Sequence, residues 1–476
     1  MQLAFTEKPS VYFREESAVV IFPSAPYWFS ATAEIALILE SLACGNSDVA
    51  VTKIRTQLGL SAEEAGDIVA ETIDLLHSAG VLVVDGEKVD VEENKPDFQV
   101  NEVENVLVIA TTQLCNMECA MCYAMAKEKI PGEMTSVEIK AVIDQLSSMP
   151  WENGISRVAL TGGELFTRPD AMDLIEYVHN HGYFAQVNTN ATLLAPADIK
   201  QLAKYPRLKM SISLDGCRAE SHEYIRGEGT FTTTVNNIKA LCDAGISVAV
   251  NMFIHAGNID EVRPTLKLVD SLGVQGLNCL NMMNVGRGNS AETKQQLVAV
   301  PLADFYRKVF EAIRDDQRLQ QLMMYSTFAN QVMGIAGGVK SFGCGIGTNR
   351  AVYVKPDGTL YPCADTAVPD FCLGNLKTDS LAEIWKGSPI LTDLRSLNID
   401  SMNPKCAACD IRYICAGNCR GENYQTTRDL RSPHFKCEEI HDSVLELMWI
   451  LTEDPGLFKC KVDNLYDTIN SHATSA

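Results

Sequence analysis

Residues Leu114 to Tyr123 read Leu-Cys-Asn-Met-Glu-Cys-Ala-Met-Cys-Tyr. They follow the apolar run Val106 to Ala110, which places Cys115, Cys119 and Cys122 on a loop just past the end of an expected strand. The spacing CxxxCxxC supplies three thiolates, one fewer than a closed zinc site or a four-iron cluster takes from protein. A cluster with one iron free of cysteine can bind a small molecule at that iron. Zinc binding, or three unrelated thiols, is the plainer reading of these cysteines taken alone.

Composition narrows the choices. The chain has 476 residues, which predicts two to four structural units. Its 40 Lys and Arg against 61 Asp and Glu give a net charge of −21. That balance argues against nucleic acid or an anionic membrane as partner, because binding polyanions depends on Lys and Arg neutralising phosphates. The opening residues MQLAFTEKPS lack a basic segment followed by an apolar one. No apolar run approaches the ~18 to 20 residues that a membrane span needs, so a cytoplasmic location is expected. The 16 cysteines, in a reducing compartment, then point to metal or cluster ligation rather than disulfides.

Upstream of the loop, residues 1–95 read as a small separate domain. Strand-like runs at Val11–Phe13 and Ala18–Phe22 precede helical stretches at Thr32–Leu42 and Val49–Leu58. A third helix is marked by the capping box Ser61 and Glu64, by Ala65, Ile68, Val69, Thr72 and Leu76 on one face, and by Gly80 as its stop. Val81–Val84 then reads as a strand. This is the content of a winged helix-turn-helix, but Glu63, Glu64, Asp67, Glu71 and Asp74 make the third helix acidic and unsuited to DNA. The polar, acidic stretch Gly86–Asn105 reads as a linker, with 96–105 separating this domain from the next.

Downstream, apolar runs alternate with helical patterns. Strands are expected at Val106–Ala110, Arg157–Thr161, Phe184–Thr189, Lys209–Leu214, Val248–Ile254 and Gly276–Asn281. Helices are expected between them at Ser136–Ser148, Ala171–His181, Pro196–Lys204, Thr233–Ala244 and Asp260–Leu272. Six β-α units imply an α/β protein with a parallel sheet, a partial (β/α)6 TIM-like barrel over 106–340. Chemistry in such barrels sits at the carboxyl ends of strands. The cysteine loop ends the first strand. Gly162, Gly163 and Glu164 end the second, with glycines that let backbone approach a ligand and a carboxylate able to accept from an ammonium group. Asn188 and Thr189 end the third, suited to ribose or to a helix cap. Ser213, then Asp215-Gly216, end the fourth, followed by Arg226. Gly286-Arg287-Gly288 reads either as a lining for a nucleobase or as a plain loop.

With Tyr123 completing CxxxCxxC, and Gly-Gly-Glu one β-α unit later, the chain resembles radical S-adenosylmethionine (SAM) enzymes. The resemblance implies a 4Fe-4S cluster on Cys115, Cys119 and Cys122 whose open iron is chelated by SAM. It implies that Glu164 binds the methionyl amine, with Tyr123, Gly162, Gly163, Asn188, Thr189, Ser213 and Arg226 around the cofactor. The first 95 residues resemble the peptide-recognition element (PqqD-like) that precedes many enzymes modifying ribosomally made peptides. There the leader peptide adds a strand to a small sheet.

A second cysteine field follows. Cys344 is separated by thirteen residues from Gly358 and Gly358 by four from Cys363; then come Cys406-x2-Cys409-x5-Cys415-x3-Cys419 and Cys437. A zinc ribbon would explain Cys406, Cys409, Cys415 and Cys419 alone. The full run resembles the SPASM domain, here 341–440, which carries two auxiliary iron–sulfur clusters, followed by a terminal helix and tail over 441–476. Family precedent implies Cys406, Cys409, Cys415 and Cys437 on the distal cluster and Cys344, Cys363 and Cys419 on the nearer one. Either Cys372 completes the nearer set or one iron is open to a substrate thiolate. Cys44, Cys217, Cys242, Cys279 and Cys460 are expected as small buried apolar side chains.

The implied activity begins with a flavodoxin or ferredoxin reducing the first cluster. SAM then yields a 5′-deoxyadenosyl radical that removes hydrogen from a bound peptide, and thioether formation from a peptide cysteine to a carbon is the first choice. The layout is most similar to quinohemoprotein amine dehydrogenase maturation proteins. Other radical products (carbon–carbon crosslinks, decarboxylation, epimerisation, formylglycine) form a second reading, and a zinc or redox regulator with a winged-helix module a third.

Overall fold

The structure, a computed structural model, describes residues 1–24, 27–43, 45–89, 106–149, 157–347 and 351–458. Most of the expected linker, Cys44, Cys460 and the tail lie outside the described residues.

In the N-terminal domain, β1 (Leu3–Phe5) is followed by a meander of β2 (Ser10–Arg14), β3 (Ser17–Phe22) and β4 (Tyr27–Thr32). Helices α1 (Ala33–Leu42), α2 (Ser47–Leu58) and α3 (Ala62–Ser78) come next, and β5 (Leu82–Val84) pairs antiparallel with β1. The Ser61/Glu64 capping box forms as expected. Strands β1 and β4 were not expected. The reason β3 reads as an unbroken apolar run is that it is buried on both faces. Ala18, Val20 and Phe22 pack under α1–α3, whereas Val19 and Ile21 join the core of the rest of the chain. At about 1.5–3 kcal/mol per fully buried large aliphatic side chain, this alternation ties the small domain firmly to the large one.

The six expected strands form as β6 (Val106–Ala110), β7 (Arg157–Thr161), β8 (Phe184–Thr189), β9 (Leu208–Ser213), β10 (Ser247–Phe253) and β11 (Gly276–Leu280). They are parallel and lie in sequence order. Helices α4 (Ser136–Asp144), α5 (Ala171–Asn180), α6 (Pro196–Leu202), α7 (Ala219–Arg226), α8 (Thr230–Asp243) and α9 (Val262–Ser271) cross between them. Helix α7 was not expected. Its eight residues carry little apolar surface, with only His222 and Ile225 buried. Along the strands, buried Val187, Met210, Ile212 and Val250 face the helices, while Gln186, Asn188, Ser213 and Asn251 alternate with them on a half-buried polar face. That period-2 alternation gives the partial barrel an apolar outside under helices and a polar inside.

Beyond the barrel, β12 (Ala351–Val354) pairs parallel with β6, and β13 (Thr359–Tyr361) and β14 (Gly374–Asn375) continue antiparallel. The C-terminal cysteine region thus grows from the same nine-stranded sheet, on the edge next to the cysteine-bearing strand. The last helix, Cys437–Glu453, buries Ile440, Val444, Leu447, Met448 and Ile450 against the main core. Among the described residues no helix is long and apolar enough to cross a membrane.

Candidate active site

The cysteine loop is pinned from several sides. Backbone N–H groups of Thr111, Gly163 and Glu164 donate to Thr161 O (2.8 Å), Thr112 O (2.7 Å) and Leu114 O (2.9 Å). A Cβ on Gly163 would lie 2.1 Å from Leu114 O, and one on Gly162 (φ +128°) would lie 2.4 Å from Thr112 O. The two glycines are therefore required by the close approach of the cysteine segment's own backbone. Glu133 accepts from Thr112 Oγ1 (2.8 Å), Gln113 N–H (2.8 Å) and Ile130 N–H (3.1 Å). Arg168, paired with Asp170, donates to Thr111 O (2.8 Å) and Met134 O (3.1 Å). Arg287 donates to Cys119 O (2.9 Å) and Ala126 O (3.3 Å), and a Cβ on Gly286 would meet Tyr123 O at 2.2 Å. Gly286-Arg287-Gly288 is thus the seat on which the loop rests.

Glu164, 1% exposed, is the centre of the next strand ends. Its Oε1 accepts from Thr189 Oγ1 (2.8 Å) and Phe166 N–H (3.1 Å), and its Oε2 accepts from Asn190 N–H (2.8 Å). Burial raises its pKa and these donors oppose the rise. Asn190 Nδ2 donates to Asn116 on the cysteine loop (2.9 Å), so strand ends two and three are tied to the first. Asn188 Oδ1 accepts from Gln186, and Ser213 is half-buried at the end of β9. Arg226, on α7, reaches Asp215 (Nε–Oδ2 2.5 Å) and places Nη1 3.6 Å from Cys119 Sγ. Asp215 is fully buried and also accepts from Phe253 N–H (2.8 Å). His222 Nδ1 in turn accepts from Asp215 N–H (3.1 Å). Tyr123 is 42% exposed, and desolvation raises its phenol pKa.

The thiols fit a group of high positive charge. Burial pushes Cys115 up to about 11, with Cys119, Glu164 and Cys122 adding repulsion. A buried thiol of this kind becomes a thiolate when a cation joins it. Among the described residues no three His, Cys, Asp or Glu side chains converge closely enough for a single metal ion. The C-terminal thiols divide into two groups. Cys409 feels Cys415 and Cys437, and Cys415 feels Cys406 and Cys437; burial pushes the two up to about 12 and about 11. Cys419 instead feels Cys363, and its Sγ lies 3.4 Å from Asp365. Cys344 is exposed and faces Arg420. Cys372 is also exposed, with its thiol 4.0 Å from Gly374 O.

The two cysteine regions meet across the barrel mouth. Asp365 and Cys122 both act on Tyr123, and Tyr123 and Cys122 act on Tyr353 of β12. Asn284 N–H donates to Glu422 (3.0 Å), whose own N–H donates to Cys419 Sγ (3.4 Å). Arg287 lay in the stretch read as a nucleobase lining or a plain loop, whereas Glu133, Arg168, Asp365, Arg420 and Glu422 were not anticipated. Of these five only Asp365, two residues after Cys363, carried any signal. Cys217 departs from the apolar role expected of it, since its thiol contacts Glu261 (3.5 Å); Cys279 is buried as expected.

Comparison with known proteins agrees with this geometry. Residues 109–269 match the radical SAM superfamily, and residues 344–410 match SPASM, an iron–sulfur cluster-binding domain. The AdoMet-dependent heme synthase of Methanosarcina barkeri is 28% identical over 334 residues, 66% of this chain and 90% of its own. The mycofactocin maturase MftC of Mycobacterium tuberculosis is 27% identical over 335 residues, 69% and 82% of the two chains. The crystal structure of Streptococcus suis SuiB bound to its precursor peptide SuiA superposes with a TM-score of 0.56 at 15% identity, over 91% of this chain and 98% of that one. The chain therefore carries a radical SAM domain followed by a SPASM domain.

Proposed function

We propose that this chain is an enzyme that modifies a ribosomally made peptide or small protein subunit, closing thioether crosslinks from a cysteine sulfur to a carbon of the same substrate. The observation that carries the reading is that two sets of thiols approach one another: Cys419 Sγ lies 3.4 Å from Asp365 and from Glu422 N, and Asp365 and Cys122 both act on Tyr123. Closing a thioether removes a hydrogen atom from carbon, a proton from sulfur and one electron, so a radical source and an electron acceptor must share one site. Bound at these thiols, a 4Fe-4S cluster with SAM and two auxiliary iron–sulfur clusters supply that radical and that acceptor.

The chain's residues supply position. Cys115, Cys119 and Cys122 hold the first cluster. Glu164, whose Oε2 keeps an unused lone pair, takes the methionyl amine. Gly162, Gly163, Asn188, Thr189, Ser213, Tyr123 and Arg226 surround the rest of SAM. Cys406, Cys409, Cys415 and Cys437 form the distal set, in keeping with their mutual electrostatic influence. Cys344, Cys363 and Cys419 form the nearer set, and the outward thiol of Cys372 favours an iron left open for the substrate sulfur. The polar inner face of Gln186, Asn188 and Asn251 suits an extended peptide with its own backbone groups to satisfy. The N-terminal meander, with β2 and β4 as its edges, offers a place for a leader strand. A flavodoxin or ferredoxin in the cytoplasm donates the electron.

The test is anaerobic reconstitution, an iron and sulfide count, and incubation with SAM, dithionite and small Cys-containing proteins encoded beside the gene. A mass loss of two hydrogens per crosslink is expected. Iron for a single cluster, or no deoxyadenosine, would sink the reading. The likeness to a heme synthase supports a second one, and heme as product in place of crosslinked peptide would establish it.

A further inference from the structure

Arg420 is among the largest fully buried side chains of the protein, at 1% exposure, and directly follows Cys419. Its Nη1 donates to Leu430 O (3.1 Å) and Ser432 O (2.8 Å) and lies 3.5 Å from Met402 Sδ, while Nη2 donates to Gly417 O. All of these partners are neutral. Its buried Nε–H has no hydrogen-bond partner at all. A buried guanidinium held only by neutral groups, with one donor unsatisfied, is costly unless an anion compensates it.

The anions at hand are sulfurs. The charge of Arg420 interacts with Cys344, Cys415, Cys406 and Cys419, members of both C-terminal thiol groups. Met402, in contact with the guanidinium, packs in the same small apolar cluster as Cys406. Space for the side chain depends on Gly417 (φ +78°), where a Cβ would lie 3.4 Å from Arg420 Nε and 3.1 Å from Met402 Cε. From its attachment beside Cys419 of the nearer set, the side chain thus reaches Met402, which packs with Cys406 of the distal set.

We propose that Arg420 is a positioning residue that serves both auxiliary clusters as their shared counter-cation, holding the two ligand sets together and raising both reduction potentials. A four-iron cluster ligated by thiolates is anionic, and more so after reduction, so an adjacent fixed cation favours the reduced form. The proposal rests on the assignment of two clusters to these cysteines. In the reaction proposed above, raising both potentials makes the pair a better acceptor for the electron that leaves as the new bond closes.

The test is an EPR-monitored redox titration of the reconstituted full chain as wild type, Arg420→Met and Arg420→Lys. Iron content and the three cluster signals of the wild type check the cluster assignment independently of the arginine. In Arg420→Met both auxiliary midpoints are expected to move negative by a tenfold change in the oxidised-to-reduced ratio at fixed potential, about 59 mV for one electron. The signal of the SAM-binding cluster stays in place. Arg420→Lys, which keeps the charge, stays near wild type. Loss of both auxiliary clusters in Arg420→Met alone, with Arg420→Lys loaded and near wild type, supports the same role. The proposal is overturned if loaded Arg420→Met moves one midpoint or neither, or if Arg420→Lys fails to load or shifts as far as Arg420→Met.

Discussion

The two cysteine regions present the same chemical groups by opposite structural means. Cys115, Cys119 and Cys122 lie within one loop, and everything that fixes the loop belongs to the β-α scaffold: the Gly162-Gly163 backbone, Glu133, Arg168 and Arg287. The C-terminal thiols run from Cys344 to Cys437 and are held by short caps. Asn403 Oδ1 accepts from Cys406 N–H (2.8 Å), Asn418 Oδ1 from Cys419 N–H (2.7 Å), and Thr366 Oγ1 contacts Cys363 Sγ (3.3 Å). Between Cys415 and Cys419 three successive residues, Ala416, Gly417 and Asn418, have positive φ. For the two non-glycines that conformation costs about 1–3 kcal/mol each. A site built into a sheet is complete before its cofactor arrives, whereas a site closed by strained turns and a buried cation draws part of its folding free energy from metal.

The largest effect follows from the first region. Cys119→Ser removes one of the three proposed cluster ligands and the sulfur that meets Arg226, and deoxyadenosine formation is expected to fall to background in a chromatographic assay. Iron on the C-terminal cysteines stays, because the side chain that meets Cys119 Sγ among the described residues is Arg226 of the barrel. Loss of all iron would show the two regions to be one cooperative unit. Removing iron with a chelator is the complementary experiment. Limited proteolysis is expected to cut first within 341–440 and to leave 106–340 protected; simultaneous cleavage of both would break the comparison.

The pinned loop has its own weakness in acid. His222, buried beneath the Asp215–Arg226 pair, has its pKa lowered by burial from 6.5 to about 4. Between those values the unfolded chain binds a proton that the folded chain refuses. The stability contribution of the neutral ring is complete above pH 6.5 and is lost as pH falls toward 4, by up to ~3 kcal/mol. Urea unfolding of His222→Gln across this range should show a flatter profile than wild type, and an unchanged slope would remove His222 from the account.

How far these features were legible depends on the distance over which each acts. The six barrel strands are apolar runs because their helix-facing side chains are buried, and that signal is local. CxxxCxxC, Gly-Gly-Glu and the C-terminal spacing are local as well. Helix α7 was invisible because its buried residues are one histidine and one isoleucine, and with it went the placement of Arg226 on Asp215. Arg287 acts on Cys119 across 168 positions and Glu422 on Asn284 across 138, through single polar contacts that leave no periodicity. Strand β12 was missed for a related reason, since its partner β6 is more than 200 positions away and only pairing identifies it.

The smallest effect concerns the seam between the N-terminal domain and the C-terminal thiols. Tyr12 of β2 donates its hydroxyl to Asp410 Oδ2 (2.5 Å), and Asp410, next to Cys409, also contacts His441 Nε2 (3.0 Å). Two positions along, Arg14 pairs with Glu446 (2.5 Å) of the last helix, which also holds Arg307 (2.5 Å). Tyr12→Phe deletes one hydrogen bond to a carboxylate that keeps a second partner, so a loss of only about 1–2 kcal/mol is expected in chemical unfolding. The informative readout is elsewhere. If the distal cysteines draw their order from metal, Tyr12→Phe leaves the iron content and the distal midpoint potential of the loaded protein unchanged. If instead the distal signal shifts while the SAM-binding cluster does not, the N-terminal domain is part of what holds Cys409, and a peptide bound at the edge of β2 would have a direct mechanical route to the cluster beneath it.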